Sequence, residues 1–317
     1  MRDASPVFFC VPFRSAVSHW SGRGGAPEIL RAAAAGSGLT LRNMAVLSVD
    51  LACRRWSDLG VVILNRAPSH LAAPSITCEI LPLNPPGFDL TRKRGDERDG
   101  DPGSIDPEIL AGRLNHLCTV RDIRILMLDG PQAWKSGSNG LEHARVSERQ
   151  LNTAAKTGLP GMVKPASYRS FAEFCMDVYD ALCRRGWRRL ETRPQPSSPD
   201  VATATQQRVL VESYPHAAWK SLGLKPLPAK RRAKVSELAE AYAALRGVIP
   251  FTTNRPPNHD QLQAIVGGMP GLALEEHNPA AMRIVGNPPR REEGHWREGF
   301  IVLPLPPNTA SSVRWLQ

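Results

Sequence analysis

The chain has 317 residues, 42% of them hydrophobic, enough to bury a sizeable core in one elaborated domain or two smaller ones. Its 40 Lys and Arg against 30 Asp and Glu leave a formal charge of +10, a balance that attracts polyanions, although the basic residues are scattered. No apolar run reaches the length of a membrane span, the N-terminus lacks a signal-peptide core, and the six cysteines are widely spaced with no C-x-x-C pair. A soluble protein in a reducing, cytoplasmic setting is expected, without a membrane partner, thiolate zinc site or disulfide framework.

Residues 1–43 carry Gly, Ser and Ala clusters without sustained periodicity and read as a poorly ordered leader. Met44 stands directly before the first strand and is a candidate start of the folded unit, which is expected to span residues 44–305. Residues 45–51 are apolar apart from Ser48 and Asp50, and residues 60–64 are wholly apolar. Two strands joined by the polar turn of residues 53–58 follow from that pattern. Residues 75–81 make a third strand, closed by Pro82. Residues 84–104 are charged and rich in Gly and Pro, as in a mobile, solvated loop.

Ser104 or Asp106 then caps a helix that places Ile109, Leu110, Leu114 and Leu117 on one face. Residues 124–130 form a short continuous apolar run ending in Asp129-Gly130-Pro131, as expected of a strand buried on both faces. Helical patterns follow over 142–155 and over 170–185, the second with Phe171, Phe174, Val178 and Leu182 in line, and residues 194–199 read as a turn or short linker. Residues 208–215 read as a fifth strand interrupted by Pro, and 217–222 as a helical turn. Residues 230–245 predict an amphipathic helix with Val235, Leu238, Ala241, Tyr242 and Leu245 inside. Residues 259–269 predict a helix that runs into Pro270, residues 299–304 a last short strand, and residues 306–317 a tail. A hairpin followed by helix-linked strands makes an α/β fold, a mixed sheet with helices on its faces.

Three of these strands carry an acid at or near their end: Asp50, Asp129 and Glu212. A fourth, Asp260, opens the helix that starts near His259. A carboxylate in an apolar strand is costly unless paired, protonated or bound to a cation. Acids from separate strand ends can converge on one edge of a sheet, where they must share protons or hold an ion, and Mg²⁺ prefers such hard oxygen ligands. Three of the four also have an ordinary reading: Asp50 as a strand-end cap, Asp129 in an Asp-Gly-Pro turn, and Asp260 in a helix-capping cluster with Asn258 and His259. The basic run of Lys220, Lys225, Lys230, Arg231, Arg232 and Lys234 could follow a nucleic-acid backbone or solvate a helix start. Trp134 and Trp219 could stack on bases or pack beside the sheet.

Five stretches occur together in a familiar order: Val49-Asp50-Leu-Ala with Gly60-Val-Val, Leu128-Asp129-Gly-Pro131, Val211-Glu212-Ser-Tyr-Pro215, His259-Asp260-Gln-Leu-Gln-Ala264, and the closing Glu298-Gly-Phe-Ile-Val-Leu-Pro304. In that order and approximate spacing the chain resembles the domain of unknown function 429 family over residues 45–304. Its members are regarded as predicted nucleases of the RNase H-like superfamily. The resemblance implies an RNase H-like, five-stranded mixed sheet, antiparallel hairpin strands then parallel ones, flanked by helices. It further implies that Asp50, Asp129, Glu212 and Asp260 are both catalytic and metal-ligating, holding one or two Mg²⁺ or Mn²⁺ ions against a phosphodiester of DNA or RNA. The chain departs from the family at Gln263, where a second helix acid is often found. Gln can coordinate through its carbonyl but adds no charge.

The leading expectation is therefore a metal-dependent nuclease. The alternative is a catalytically inactive RNase H-like binding or scaffold module. An ATP-dependent phosphotransferase on the related actin-like fold would need Gly-rich phosphate loops, and no glycine lies between Asp50 and Gly60.

Overall fold

The computed structural model describes residues 44–66, 76–82, 104–193 and 207–307. The expected leader, the loop over 84–103, the turn at 194–199 and the tail from 308 onward lie outside the described residues.

The chain opens with β1 (Met44–Asp50), β2 (Gly60–Arg66) and β3 (Ile76–Ile80), then α1 (Pro107–Val120) and β4 (Ile125–Asp129). An excursion follows, built from α2 (Val146–Leu151), the small hairpin β5 (Lys156–Thr157) and β6 (Val163–Lys164), and α3 (Arg169–Arg184). Next come β7 (Arg188–Arg189), β8 (Val209–Ser213), α4 (Pro215–Ser221), α5 (Val235–Val248), β9 (Phe251–Thr253) and α6 (His259–Glu275). The last elements are β10 (Met282–Val285), the hairpin β11 (Arg290–Glu292) and β12 (His295–Arg297), and β13 (Ile301–Pro304).

β1 and β2 pair antiparallel over their whole length, from Met44 opposite Arg66 to Asp50 opposite Gly60. β3 continues the meander antiparallel to β2, β4 lies parallel to β1, and β8 lies parallel to β4. The order β3-β2-β1-β4-β8 is the mixed sheet expected of an RNase H-like fold. It sits within a nine-stranded sheet that β9 extends at one edge and β13 and β10 at the other, with β7 also paired to β8.

Side chains alternate along each strand, so the sheet buries two faces. Val46, Val62, Met127 and Val211 join the core under α4, α5 and α6. Leu47, Val49, Ile63, Leu128 and Leu210 join the core under α1 and α3. Asp106 caps α1, its carboxylate accepting from the N–H groups of Glu108 and Ile109.

Four expectations are corrected. The helix read over 142–155 is confined to Val146–Leu151, because Asn152 takes the left-handed conformation and the chain turns into β5. The helix read from 230 begins at Val235, which is 85% exposed, and its buried anchor is Leu245. Pro215 opens α4, where its missing N–H has no helical partner to lose, rather than breaking β8. Pro270 does not end its helix: α6 runs on to Glu275, held against the sheet by buried residues on both sides of the proline. No helix of the described residues is long and apolar enough to cross a membrane.

Candidate active site

Asp50 and Asp129 are the last residues of neighbouring parallel strands and stand opposite each other in register. Asp50 follows Val46 and Ser48 on its strand, and Asp129 follows Ile125 and Met127, so both belong to the face covered by α6. Ser213, the last residue of β8, is in register with Asp129 on that same face. The carboxyl ends of parallel strands are where open α/β sheets place their ligands.

α6 delivers the third acid. Asn258 caps this helix by accepting from the N–H of Gln261 at 2.9 Å, and the Gln261 side chain accepts from the N–H of Asn258 in return. Asp260 in the first turn is 5% exposed. Gly60, opposite Asp50, permits the approach: a Cβ at this position would lie 2.2 Å from the carbonyl oxygen of Asp260.

The acids act on one another. Burial raises the Asp50 pKa well above its ordinary value, and Asp129 and Asp260 raise it further. Burial likewise lifts Asp129 to about 7, although a hydrogen bond with Asp50 lowers it. These shifts favour one proton held between Asp50 and Asp129, so the two acids titrate as a coupled pair. Both residues keep part of their surface at the strand ends, so water and ions can reach them.

One cation already stands at this edge. The Lys230 ammonium lies 2.5 Å from Asp260 Oδ2 and 2.8 Å from Asp58 Oδ1, and its charge partly offsets the upward shift of Asp50. This places Asp58 in the site's surroundings and removes Lys230 from the basic run expected to follow a backbone. His259 lies with Nδ1 3.2 Å from Asp260 Oδ1 and Nε2 3.0 Å from the carbonyl oxygen of Pro228, fixing the ring beside that acid.

Glu212 lies on the opposite face of the sheet from Asp50 and Asp129, yet near enough to Asp129 for its charge to raise that residue's pKa. It shares strand parity with Leu210, on the α1 and α3 face, and both of its oxygens accept from Arg145 at 2.7 Å. The N–H of Gln132 adds a third hydrogen bond at 3.1 Å. Arg145 also donates to Glu148 and Thr157, and Glu148 accepts from the N–H of Thr157 at 2.9 Å. Burial disfavours the Arg145 charge, yet Glu212 and Glu148 hold its pKa above the ordinary value. Gln263 accepts from the Trp219 indole at 2.9 Å, and Trp219 and Trp134 are buried.

Asp50 and Asp129 thus face each other, Asp260 faces Lys230, and Glu212 faces Arg145. Among the described residues no group of three or more His, Cys, Asp or Glu is disposed to hold a metal ion. The chemistry of Asp50, Asp129 and Asp260 nevertheless fits a hard divalent cation. They are oxygen donors, Asp50 and Asp129 partly accessible and Asp260 buried, and the close acid pair requires either a proton or a cation between its members. Lys230 is the residue of this site whose role the sequence hid, since its partners lie 30 and 172 positions away. Arg145 was also missed, although Arg145-Val-Ser-Glu148 at a helix start is a visible i,i+3 pair.

No protein-family model matches the chain. No curated protein matches it either. Among solved structures, the chain is similar to the Thermus thermophilus RuvC structure, with 10% identity over 74% of this chain and 98% of that chain, at a TM-score of 0.33. The fold assignment rests on the strand order and pairing.

Proposed function

We propose that the chain is a divalent-metal-dependent nuclease of the RNase H-like superfamily, as its resemblance to the domain of unknown function 429 family implies. Asp50, Asp129 and Asp260 would hold one or two Mg²⁺ or Mn²⁺ ions. The observation that carries this reading is the buried Asp50–Asp129 pair, in register at the ends of adjacent parallel strands and joined there by the first turn of α6. Such an ion supplies Lewis acidity toward water and toward the phosphoryl group.

The protein's own part is positional. Asp50 must release the proton it shares with Asp129 before both carboxylates can face a dication, so cation binding is coupled to proton loss and tightens as pH rises. Asp260 must exchange its contact with Lys230, and His259 keeps that carboxylate oriented while it does so. Glu212, expected as a ligand, is proposed as a positioning residue that anchors the strand end through Arg145. A reducing, cytoplasmic setting belongs to the same reading and is supported by the free thiols of Cys53, Cys78, Cys118, Cys175 and Cys183.

Purified protein with Mg²⁺ or Mn²⁺ is expected to cut labelled DNA or RNA, and Asp50→Asn to abolish cutting while the melting transition stays cooperative. Cutting that survives Asp50→Asn would remove the proposal. The non-catalytic alternative is favoured by the Lys230 contact with Asp260 and by Gln263, which adds no charge and already accepts from Trp219. It expects no rise in melting temperature with millimolar Mg²⁺ or Mn²⁺, since only an ion that binds the native state stabilises it.

A further inference from the structure

A cavity of about 260 Å³ opens in the excursion between β4 and α3, lined by Lys156, Lys164, Arg169 and His143 together with Gly158 and Met162. Among the described residues no acidic side chain lines it. Lys164 is exposed and makes no ion pair among the described residues. Among the described residues Arg169 pairs sideways, with Glu173 one turn along α3 at 2.8 Å. His143 lies 2.7 Å from Glu142, an acid that is 86% exposed. Lys156 is turned onto the backbone oxygen and the hydroxyl of Thr153, and burial lowers its pKa, so an anion brought into the cavity would favour its charge. Beside these cations Leu159, Met162 and Tyr168 are 41%, 47% and 44% exposed, an unusual concentration of open apolar surface.

The cavity adjoins the acid pair. α3 begins at Arg169, and two residues later the ring of Phe171 lies 3.6 Å from where a Cβ on Gly130, the neighbour of Asp129, would be. Burial raises the pKa of Tyr214, the residue after Ser213, and the Asp129 carboxylate is near enough to raise it further. The hairpin and the start of α3 therefore stand at the same carboxyl edge of the sheet as Asp50 and Asp129.

We infer that this cavity is a phosphate-binding subsite for single-stranded nucleic acid, with Lys156, Lys164 and Arg169 on the backbone and Tyr168 stacking on a base, holding the strand next to the acid pair. The inference rests on the nuclease reading and names where its polyanion sits. Cations without acids select a polyanion, and the exposed ring of Tyr168, next to Arg169 in the chain, selects one that carries unpaired bases over an acidic protein surface.

The test uses full-length Asp50→Asn protein with EDTA, so that no strand is cut, and fluorescence anisotropy on labelled single-stranded and duplex oligonucleotides across a salt series. Lys164→Gln and Arg169→Gln are each expected to lower the slope of log affinity against log salt by about 0.7. Tyr168→Ala is expected to weaken single-strand binding by roughly tenfold. All three side chains are exposed, and unchanged melting curves will exclude misfolding. Strand binding with unchanged slope and affinity in all three variants overturns the subsite and leaves the nuclease reading standing. Tighter binding of duplex than of single strand, with no loss in Tyr168→Ala, overturns the single-strand assignment. Stabilisation by inorganic phosphate that Lys164→Gln removes, without any effect on strand binding, makes this a small-anion site and overturns it too. No strand binding by the parent protein, together with no cutting by the Asp50 form, sinks the nuclease reading itself.

Discussion

Folding lifts Asp129 from an ordinary value near 3.8 to about 7, with burial as the main cause. Between those two pH values the native state holds more protons than the unfolded chain, so this group's stabilising effect is complete below the unfolded value and is lost as pH rises toward the folded one. Each pKa unit corresponds to about 1.4 kcal/mol, discounted here because the residue is partly exposed. Asp129→Asn is accordingly expected to stabilise the EDTA-treated protein by about 1–2 kcal/mol at pH 8 and to do little at pH 4. Thermal melts at the two pH values check this, and an unchanged difference between them would refute it. Lys230 offers a second single-residue test. If its ammonium competes with a dication for Asp260, Lys230→Met should bind Mn²⁺ more tightly by calorimetry while melting earlier in EDTA. A purely structural lysine would leave the Mn²⁺ affinity unchanged. The acids themselves were legible in the sequence because carboxylates stand out in apolar strands. Their counter-cation was not, because a salt bridge across 172 positions leaves no local trace.

α6 shows why the helix that completes the site was legible only as far as Met269. Its Gly267, Gly268, Gly271 and Pro270 argue against a helix on propensity alone. On the sheet these glycines are contact points. A Cβ on Gly268 would come within 2.5 Å of Leu64 and 2.7 Å of Ser48, and one on Gly271 within 2.6 Å of Val46. Close seating of the helix, and hence the position of Asp260 beside Asp50, depends on these missing side chains. Gly60 makes the same allowance from the strand side, where the obstacle is the backbone of α6 and cannot rotate away. Gly60→Ala is therefore expected to cost about 1–3 kcal/mol in denaturant unfolding and to weaken Mn²⁺ binding, whereas Gly247→Ala, with nothing near its Cβ position, should do neither. Equal effects at the two glycines would show that seating is not what they provide.

Across the whole molecule, the periodicities placed the strands of the five-stranded core and left the additions unread, because β7, β9 and β10 are short and pair with strands distant in sequence, and β11 and β12 have only three residues each. The excursion between β4 and α3 is tied to that core by buried charge rather than by a regular sheet. Arg145 joins it to Glu212 on β8, and Glu298 receives the N–H groups of Ser136 and Val146 and the Asn139 amide from the excursion. Glu212 was visible as a buried acid, but its Arg145 partner, 67 positions upstream, was not. Removing Arg145 alone would leave Glu212 and Glu148 buried without their cation, at a cost of about 3–5 kcal/mol. Arg145→Met should thus loosen residues 130–165 to hydrogen exchange before the central strands unfold. Replacing Glu212 as well separates the two roles of that residue. If Glu212 only anchors, Arg145→Met combined with Glu212→Met recovers part of the lost stability and keeps Mn²⁺-dependent stabilisation, because the Asp50 edge is intact. If Glu212 ligates, the double variant loses the metal response while its thermal stability without metal recovers.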